Sequence, residues 1–522
     1  MSKYSLIIKN GTVFDGKNNK PQKVDVGVEE DQISKIGDLQ NESAKIIINA
    51  SGKYVAPGFI DLTSHSDMHW TLFSAPSQES LATQGVTTIL GGNCGSSLAP
   101  FTGEQSAKEI SRWIDPSQIN VNWQTMGEFL SELEWHKIGV NFATLVGLNT
   151  LKRSVPGGQQ GKDKVKMLLK SAIEEGAFGL STNFGLPDPD FFSYDDITEI
   201  VGVLKDYDAL SKHHLEDEGE NFLPSVSRLI GIARSSGVRT HISHFKVLGK
   251  NSWKDFSGAF NMISIARGEG VKISYDFFPY ARTGSSMIRL MPVWFRKLSF
   301  SESMAVLSSK KEKRREELVD YLKKLTLHYD KIMVASSKPE LGVVGKTIKQ
   351  ISESSGKTPE EIILELLKDN DLRVSIFNEV ISEENNDITA KDEFSAIASD
   401  GVGYNLSNKN MTDLPHPRSF GAFPRALNLY VKEKKLLSWE TAIYKMTALP
   451  ASLLGISDRG TLEKGKKADI VIFDPDNVAD QSVYENPFKL SKGIENVFIN
   501  GEPVVTNGKP TGKLPGKVLR KK

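Results

Sequence analysis

With a single cysteine, Cys94, in 522 residues the chain cannot form an intrachain disulfide framework, and such usage fits a reducing compartment, so the protein is expected in the cytoplasm. Charge of one sign is also lacking. The 65 basic residues balance 65 acidic ones, and nothing marks nucleic acid or an anionic membrane as the partner. No apolar run reaches the roughly 18 residues that a membrane span needs. The opening MSKYSLIIKNGTVFDG has no apolar segment of the signal-peptide kind. The lysine-rich end, KVLRKK, reads as a frayed tail. What is present is a chain that is 39% hydrophobic with regular Val, Ile and Leu runs, the composition of a globular α/β protein of two or three domains.

Residues 4–54 come in short β-like bursts (YSLIIKN, GTVFDG, KIIINA) separated by Asn10-Gly11 and Asp15-Gly16 turns, as hairpins require. From Val55 the rhythm becomes strand, loop, helix, the signature of a parallel βα fold. Strand candidates fall at 59–65, 86–94, 141–148, 178–182, 209–214, 238–244, 271–278 and 395–400, which predicts a (β/α)₈ barrel spanning 56–454. The stretch between the last two is too long for a plain loop, and an inserted helical subdomain or lid is expected at about 287–370. Hairpin patterns return in TLEKGKKADIVIFDP and GIENVFINGEPVV. The spacing predicts a small β-sandwich built discontinuously from 1–55 and 455–510, followed by a basic tail at 511–522.

The chemistry-bearing residues fall at the C-terminal strand ends, where barrels of this type carry their sites. His65, Cys94, His214, His244 and Asp400 all lie there. Cys94, His214 and His244 supply the three protein ligands of a catalytic zinc that keeps one position open, and thiolate with imidazole favours zinc over magnesium or calcium. Asp400 is then the residue placed to take a proton from a metal-activated water and pass it to a leaving nitrogen. Taken singly these residues have plainer readings: a buried apolar Cys94, a hydrogen-bonded strand-end histidine, a turn at Asp400-Gly401. Their coincidence at equivalent strand ends favours the site. His213 and His241 are read as structural or supporting residues.

The segments PGFID, GVTTILGGNCGSSLAP, GLST, ISHFK, FFPY, ASDG, HPRSFGAFPR and RGTLEKGKKADIVIFDPDNVAD together resemble the N-acyl-D-amino-acid deacylases (D-aminoacylases) of the amidohydrolase superfamily. The resemblance covers nearly all of the chain apart from about 293–327. It implies a zinc-dependent hydrolase of linear amides, releasing a carboxylic acid and a D-amino acid from a small N-acyl amino acid. It implies one tight zinc at Cys94, His214 and His244, and a weaker second position built around an HxH pair and an aspartate. It also implies a carboxylate-binding set of Lys246, Tyr280 and Ser286. No nucleic-acid or membrane partner is expected, and the assembly is expected to be a monomer or small homo-oligomer.

Three departures stand out. Thr63-Ser64-His65 replaces the HxH pair, so only His65 remains for the second position, which makes a second zinc doubtful. Leu186 stands where a tyrosine is expected, and Glu216 where the family carries arginine. Two alternatives therefore stay open: a cyclic amidase of dihydroorotase or hydantoinase type, and a metal-binding but catalytically silent scaffold.

Overall fold

The computed structural model of the chain describes residues 3–103, 106, 110, 120–155, 158–185, 192–309, 313–325, 327–407 and 413–522. Val86–Gly91 is buried at every position, the pattern of a parallel strand covered on both faces. It pairs in parallel with Phe59–Asp61 on one side and Asn141–Thr144 on the other. After a one-residue break the third strand resumes as Val146–Gly147. From there Gly179–Asn183, Leu210–His214, Thr240–Ile242, Ile273–Phe277 and Ser395–Ile397 follow in parallel register. The ring closes where Ser64 bridges Gly401, with His65 N donating to Gly401 O at 2.8 Å. This is the eight-stranded barrel that the sequence rhythm predicts.

Helices cover the outside. Phe222–Ser236 buries Phe222, Val226, Leu229, Ile230 and Ala233 along one stripe, spaced three and four apart. Each large apolar side chain so buried contributes about 1.5–3 kcal/mol. The helix ends at Gly237, whose φ of 65° lets its N–H return to Ala233 O.

Both ends of the chain enter one nine-stranded sheet beside the barrel. Tyr54–Pro57 joins Tyr4–Val13 in parallel and Ile470–Phe473 in antiparallel, so residues more than 400 apart in sequence are neighbours. The sheet curls until Gln32 bridges Lys467, enclosing Leu6, Ile8, Val26, Val28, Ile33, Ile470, Ile472 and Phe498.

Two expectations are corrected. The basic end is not frayed: Lys517 O accepts from Phe142 N at 2.9 Å, Leu519 N donates to Phe142 O at 2.7 Å, and Lys521 N donates to Gly176 O. Open backbone groups beside the third barrel strand give it partners that composition alone does not reveal. The insertion, in turn, is not purely helical and reaches past 287–370. Arg282–Ser286, Ile332–Ser336 and Ser375–Glu379 form an antiparallel sheet over a separate apolar core that includes Met287, Phe295, Leu318, Ile363, Leu367 and Ile376. Within it Pro359–Asp369 is a helix capped by the Thr358–Glu361 box, as TPEEIILELL suggests. No helix among the described residues is long and apolar enough to cross a membrane.

Candidate metal centre

Cys94 sits in a loop that the sequence builds tightly. Gly92 has φ 67°, and a Cβ there would lie 2.0 Å from Leu145 O, so only glycine fits. Ser181 clamps the same loop, accepting from Gly95 N at 3.0 Å and donating to Gly92 O at 2.5 Å. Cys94 follows with φ 53°, while His244 and Asp400 have φ 38° and 50°. Three non-glycine residues at strand ends thus hold left-handed backbone, at about 1–3 kcal/mol each, a cost that clusters at functional sites.

The turns bring three donors together. Cys94 Sγ lies 3.8 Å from His214 Nδ1 and 3.6 Å from His244 Nε2, and the two nitrogens are 3.0 Å apart. Among the described residues, this buried trio is the one group of three or more His, Cys, Asp or Glu side chains whose ligand atoms converge, all within 4.8 Å. Burial would raise the Cys94 thiol, but the imidazoles of His214, His244 and His65 outweigh it and hold the thiol well below its ordinary range. A ready thiolate with two imidazoles fits zinc.

Asp400 stands beside the trio. Its Oδ1 is 3.0 Å from His65 Nε2 and its Oδ2 is 2.6 Å from Arg418 Nη1. Burial acts to raise its carboxyl, and Arg418, His244 and His65 overcome that to keep it ionised well below the usual carboxylate range. His65, which burial alone would push down, is lifted to about 10 by Asp400 and Cys94. His65 is therefore bonded to Asp400 and is not one of the convergent trio. Asp67 does not stand in for the missing histidine, since its Oδ2 accepts from Gly92 N at 2.6 Å.

Lys246 Nζ lies 2.6 Å from Glu218 Oε1 and 2.9 Å from His244 Nδ1, and Glu218 Oε1 is 3.1 Å from that same Nδ1. Tyr280 is buried, and its hydroxyl has no hydrogen-bond partner among the described residues. Ser286 ends an insertion strand opposite Ser375 and is exposed. Glu216 turns away from the trio, pairing with Arg228 and accepting from Tyr194 Oη at 2.7 Å. Leu186 lies outside the described residues.

His241 and His213 are supporting groups. His241 Nε2 is 2.9 Å from Asp276 Oδ2; His213 is held between Thr182 and Ser211. Sequence reasoning passed over three residues here: Glu218, Asp276 and Lys212. Two carried a legible signal. Lys212 in ALSKHH and Asp276 in ISYDF are charges of opposite sign inside runs that read as buried strand, which requires a partner.

Eight parallel strands with a cysteine and two histidines converging at one mouth make a barrel of the amidohydrolase kind, with a donor set that suits a metal ion. The model of the amidohydrolase family matches residues 410–505. D-aminoacylase of Alcaligenes xylosoxydans xylosoxydans is 29% identical over 99% of this chain and 97% of its own length. The solved N-acyl-D-glutamate deacylase of Bordetella bronchiseptica, complexed with zinc and a phosphonate mimic of the tetrahedral intermediate, is 27% identical. It superposes with a TM-score of 0.83 over 99% of this chain and 100% of that one. A solved D-aminoacylase gives a TM-score of 0.82 at 28% identity, with 99% and 100% covered. Along nearly its whole length the chain is similar to D-aminoacylases and N-acyl-D-amino-acid deacylases.

Proposed function

We propose that the protein is a zinc-dependent hydrolase of linear amides that deacylates N-acyl-D-amino acids to a carboxylic acid and a D-amino acid. The observation that carries this reading is the convergence of Cys94, His214 and His244 beside an ionised Asp400. Zinc held by that trio supplies Lewis acidity towards an amide carbonyl and towards water.

The remaining work falls to side chains. Asp400 takes a proton from the attacking water and returns it to the departing nitrogen; His65 and Arg418 fix its two oxygens. Lys246 donates to Glu218 Oε1 and, at 3.4 Å, to His244 O, and its charge stands beside the trio to attract a substrate carboxylate. The unpartnered Tyr280 hydroxyl is a second donor for it. His65 orients Asp400 rather than completing a second metal position. The molecule acts on a small N-acyl amino acid, as a monomer or small homo-oligomer, in the cytoplasm, where its one free thiol stays reduced.

The test is a substrate panel with zinc-loaded protein: N-acyl-D-amino acids, their L-counterparts, hydantoins and dihydroorotate. Turnover of the D-series, lost in Asp400→Asn, supports the proposal. Turnover of cyclic amides alone assigns a cyclic amidase, and an inactive protein with full zinc assigns a silent scaffold.

A further inference from the structure

Lys212 lies two residues before His214 on the fifth barrel strand and so enters the barrel from the same face. It is completely buried. Its ammonium is 2.6 Å from Leu62 O, 2.5 Å from Thr63 Oγ1 and 2.7 Å from Asn93 Oδ1, with Asp276 Oδ2 at 3.1 Å. A backbone carbonyl, a hydroxyl, an amide oxygen and a carboxylate, brought from the ends of three other strands, converge on one positive charge. Such all-oxygen sets are the surroundings that hard cations take.

Thr63 is tied into the same arrangement. Its hydroxyl accepts from Lys212 and donates to Asp276 Oδ2 at 2.6 Å. Asp276 also accepts from His241 Nε2, and its Oδ1 accepts from His244 N at 2.6 Å. The lysine charge is thus linked, through one carboxylate, to the backbone of a residue in the metal trio. Asn93, immediately before Cys94, completes the circle by donating to Ser64 O at 3.1 Å and Leu90 O at 2.7 Å.

We infer that Lys212 is a fixed ammonium that takes the place of a second metal ion beside Thr63 and His65, limiting the centre to one divalent cation. The inference rests on the Cys94–His214–His244 reading for the first ion. Position 63 offers a hydroxyl already used twice, where a second ion needs a free donor. A permanent positive charge against that hydroxyl then opposes a further cation. The threonine and the buried lysine fit one another: with no imidazole at position 63, Leu62 O, Asn93 Oδ1 and Asp276 Oδ2 need a positive partner, and the ammonium supplies it. Lys212 is a positioning residue, since it acts on the site through Asp276, Thr63 and Asn93.

Cobalt titration of metal-free protein reads the two ions separately. Cobalt at Cys94 gives thiolate charge-transfer absorption, while mass-spectrometric metal analysis counts every ion. The wild type and Thr63→His are expected to hold one cobalt with the thiolate band. Thr63→His/Lys212→Ala is expected to hold two, the second at least tenfold tighter than in Thr63→His. Two ions in Thr63→His with the band intact would overturn the role of Lys212 alone; absence of the band in every protein would overturn the Cys94 centre instead. Should the double variant not fold, Lys212→Gln serves. Its melting temperature should fall and be restored by millimolar magnesium, with wild type and Lys212→Arg unresponsive. A fall that no magnesium concentration reverses overturns the inference.

Discussion

His65 Nε2 lies 3.0 Å from Asp400 Oδ1, across the seam where the first and eighth barrel strands meet. The contact fixes the orientation of the carboxylate from one side while Arg418 fixes it from the other. Asp400 is thereby ionised, oriented and adjacent to the trio without belonging to it. Replacing it by asparagine keeps the shape and removes the proton acceptor. Asp400→Asn is expected to lower kcat/KM by about 10²–10⁴, the usual contribution of general acid–base catalysis, with zinc content unchanged. Steady-state rates and metal analysis on one preparation check this; zinc lost along with activity would make Asp400 a ligand instead.

Cys94 is the soft member of the trio, and its thiolate is favoured by all three neighbouring imidazoles. Cys94→Ala leaves two imidazoles, too few for tight zinc. Dialysed protein is expected to lose its zinc, and activity should fall in the same proportion. Activity lost while zinc is retained would remove Cys94 from the ligand set.

Much of this was legible in the sequence because barrel strands repeat and end in chemistry. VTTILGGNCG, LSKHH and HISH each read as buried strand followed by a soft donor, and the structure gathers Cys94, His214 and His244. The curled β-sheet was harder to read, because contacts such as Tyr54–Pro57 with Ile470–Phe473 carry no local signal. The Lys212–Asp276 pair was hidden for the same reason, since it joins the fifth and seventh strands across the barrel interior. The Asp400–Arg418 pair spans one loop after the eighth strand, and nothing in the loop's composition shows that the chain folds back there. The insertion strand Arg282–Ser286 was missed because its five residues, RTGSS, contain no apolar alternation.

Glu218 supports the trio from behind. Its carboxylate faces His244 Nδ1 at 3.1 Å, the arrangement that leaves Nε2 free to ligate. Glu218→Gln removes the charge and leaves the buried Lys246 ammonium without its partner. The expected outcome is zinc affinity weaker by about 10–100-fold, the usual effect of losing such a support. Competition against a chromophoric chelator measures it. An unchanged dissociation constant would assign Glu218 to Lys246 alone.

The pH dependence of zinc binding should be set by one proton. Burial and the Lys246 ammonium disfavour a charged His244, yet Asp400, Cys94 and Glu218 outweigh them and raise it to about 9. His214, by contrast, is lowered, chiefly by burial, and Cys94 is held well below its ordinary range. Near pH 7 the metal-free centre therefore holds a thiolate, a neutral His214 and a protonated His244. Zinc must displace that last proton, because a ligating imidazole is neutral. The sign follows: a proton bound only in the metal-free state competes with zinc, so affinity rises with pH and levels off above about 9. Below that point the dissociation constant should fall about tenfold for each pH unit gained. Titration calorimetry in buffers of different ionisation enthalpy should find about one proton released per zinc at pH 7.5. Glu218→Gln, which removes one of the groups raising His244, should move the plateau to lower pH. A dissociation constant that stays flat from pH 6.5 to 8.5 would show that His244 is already neutral before the metal arrives.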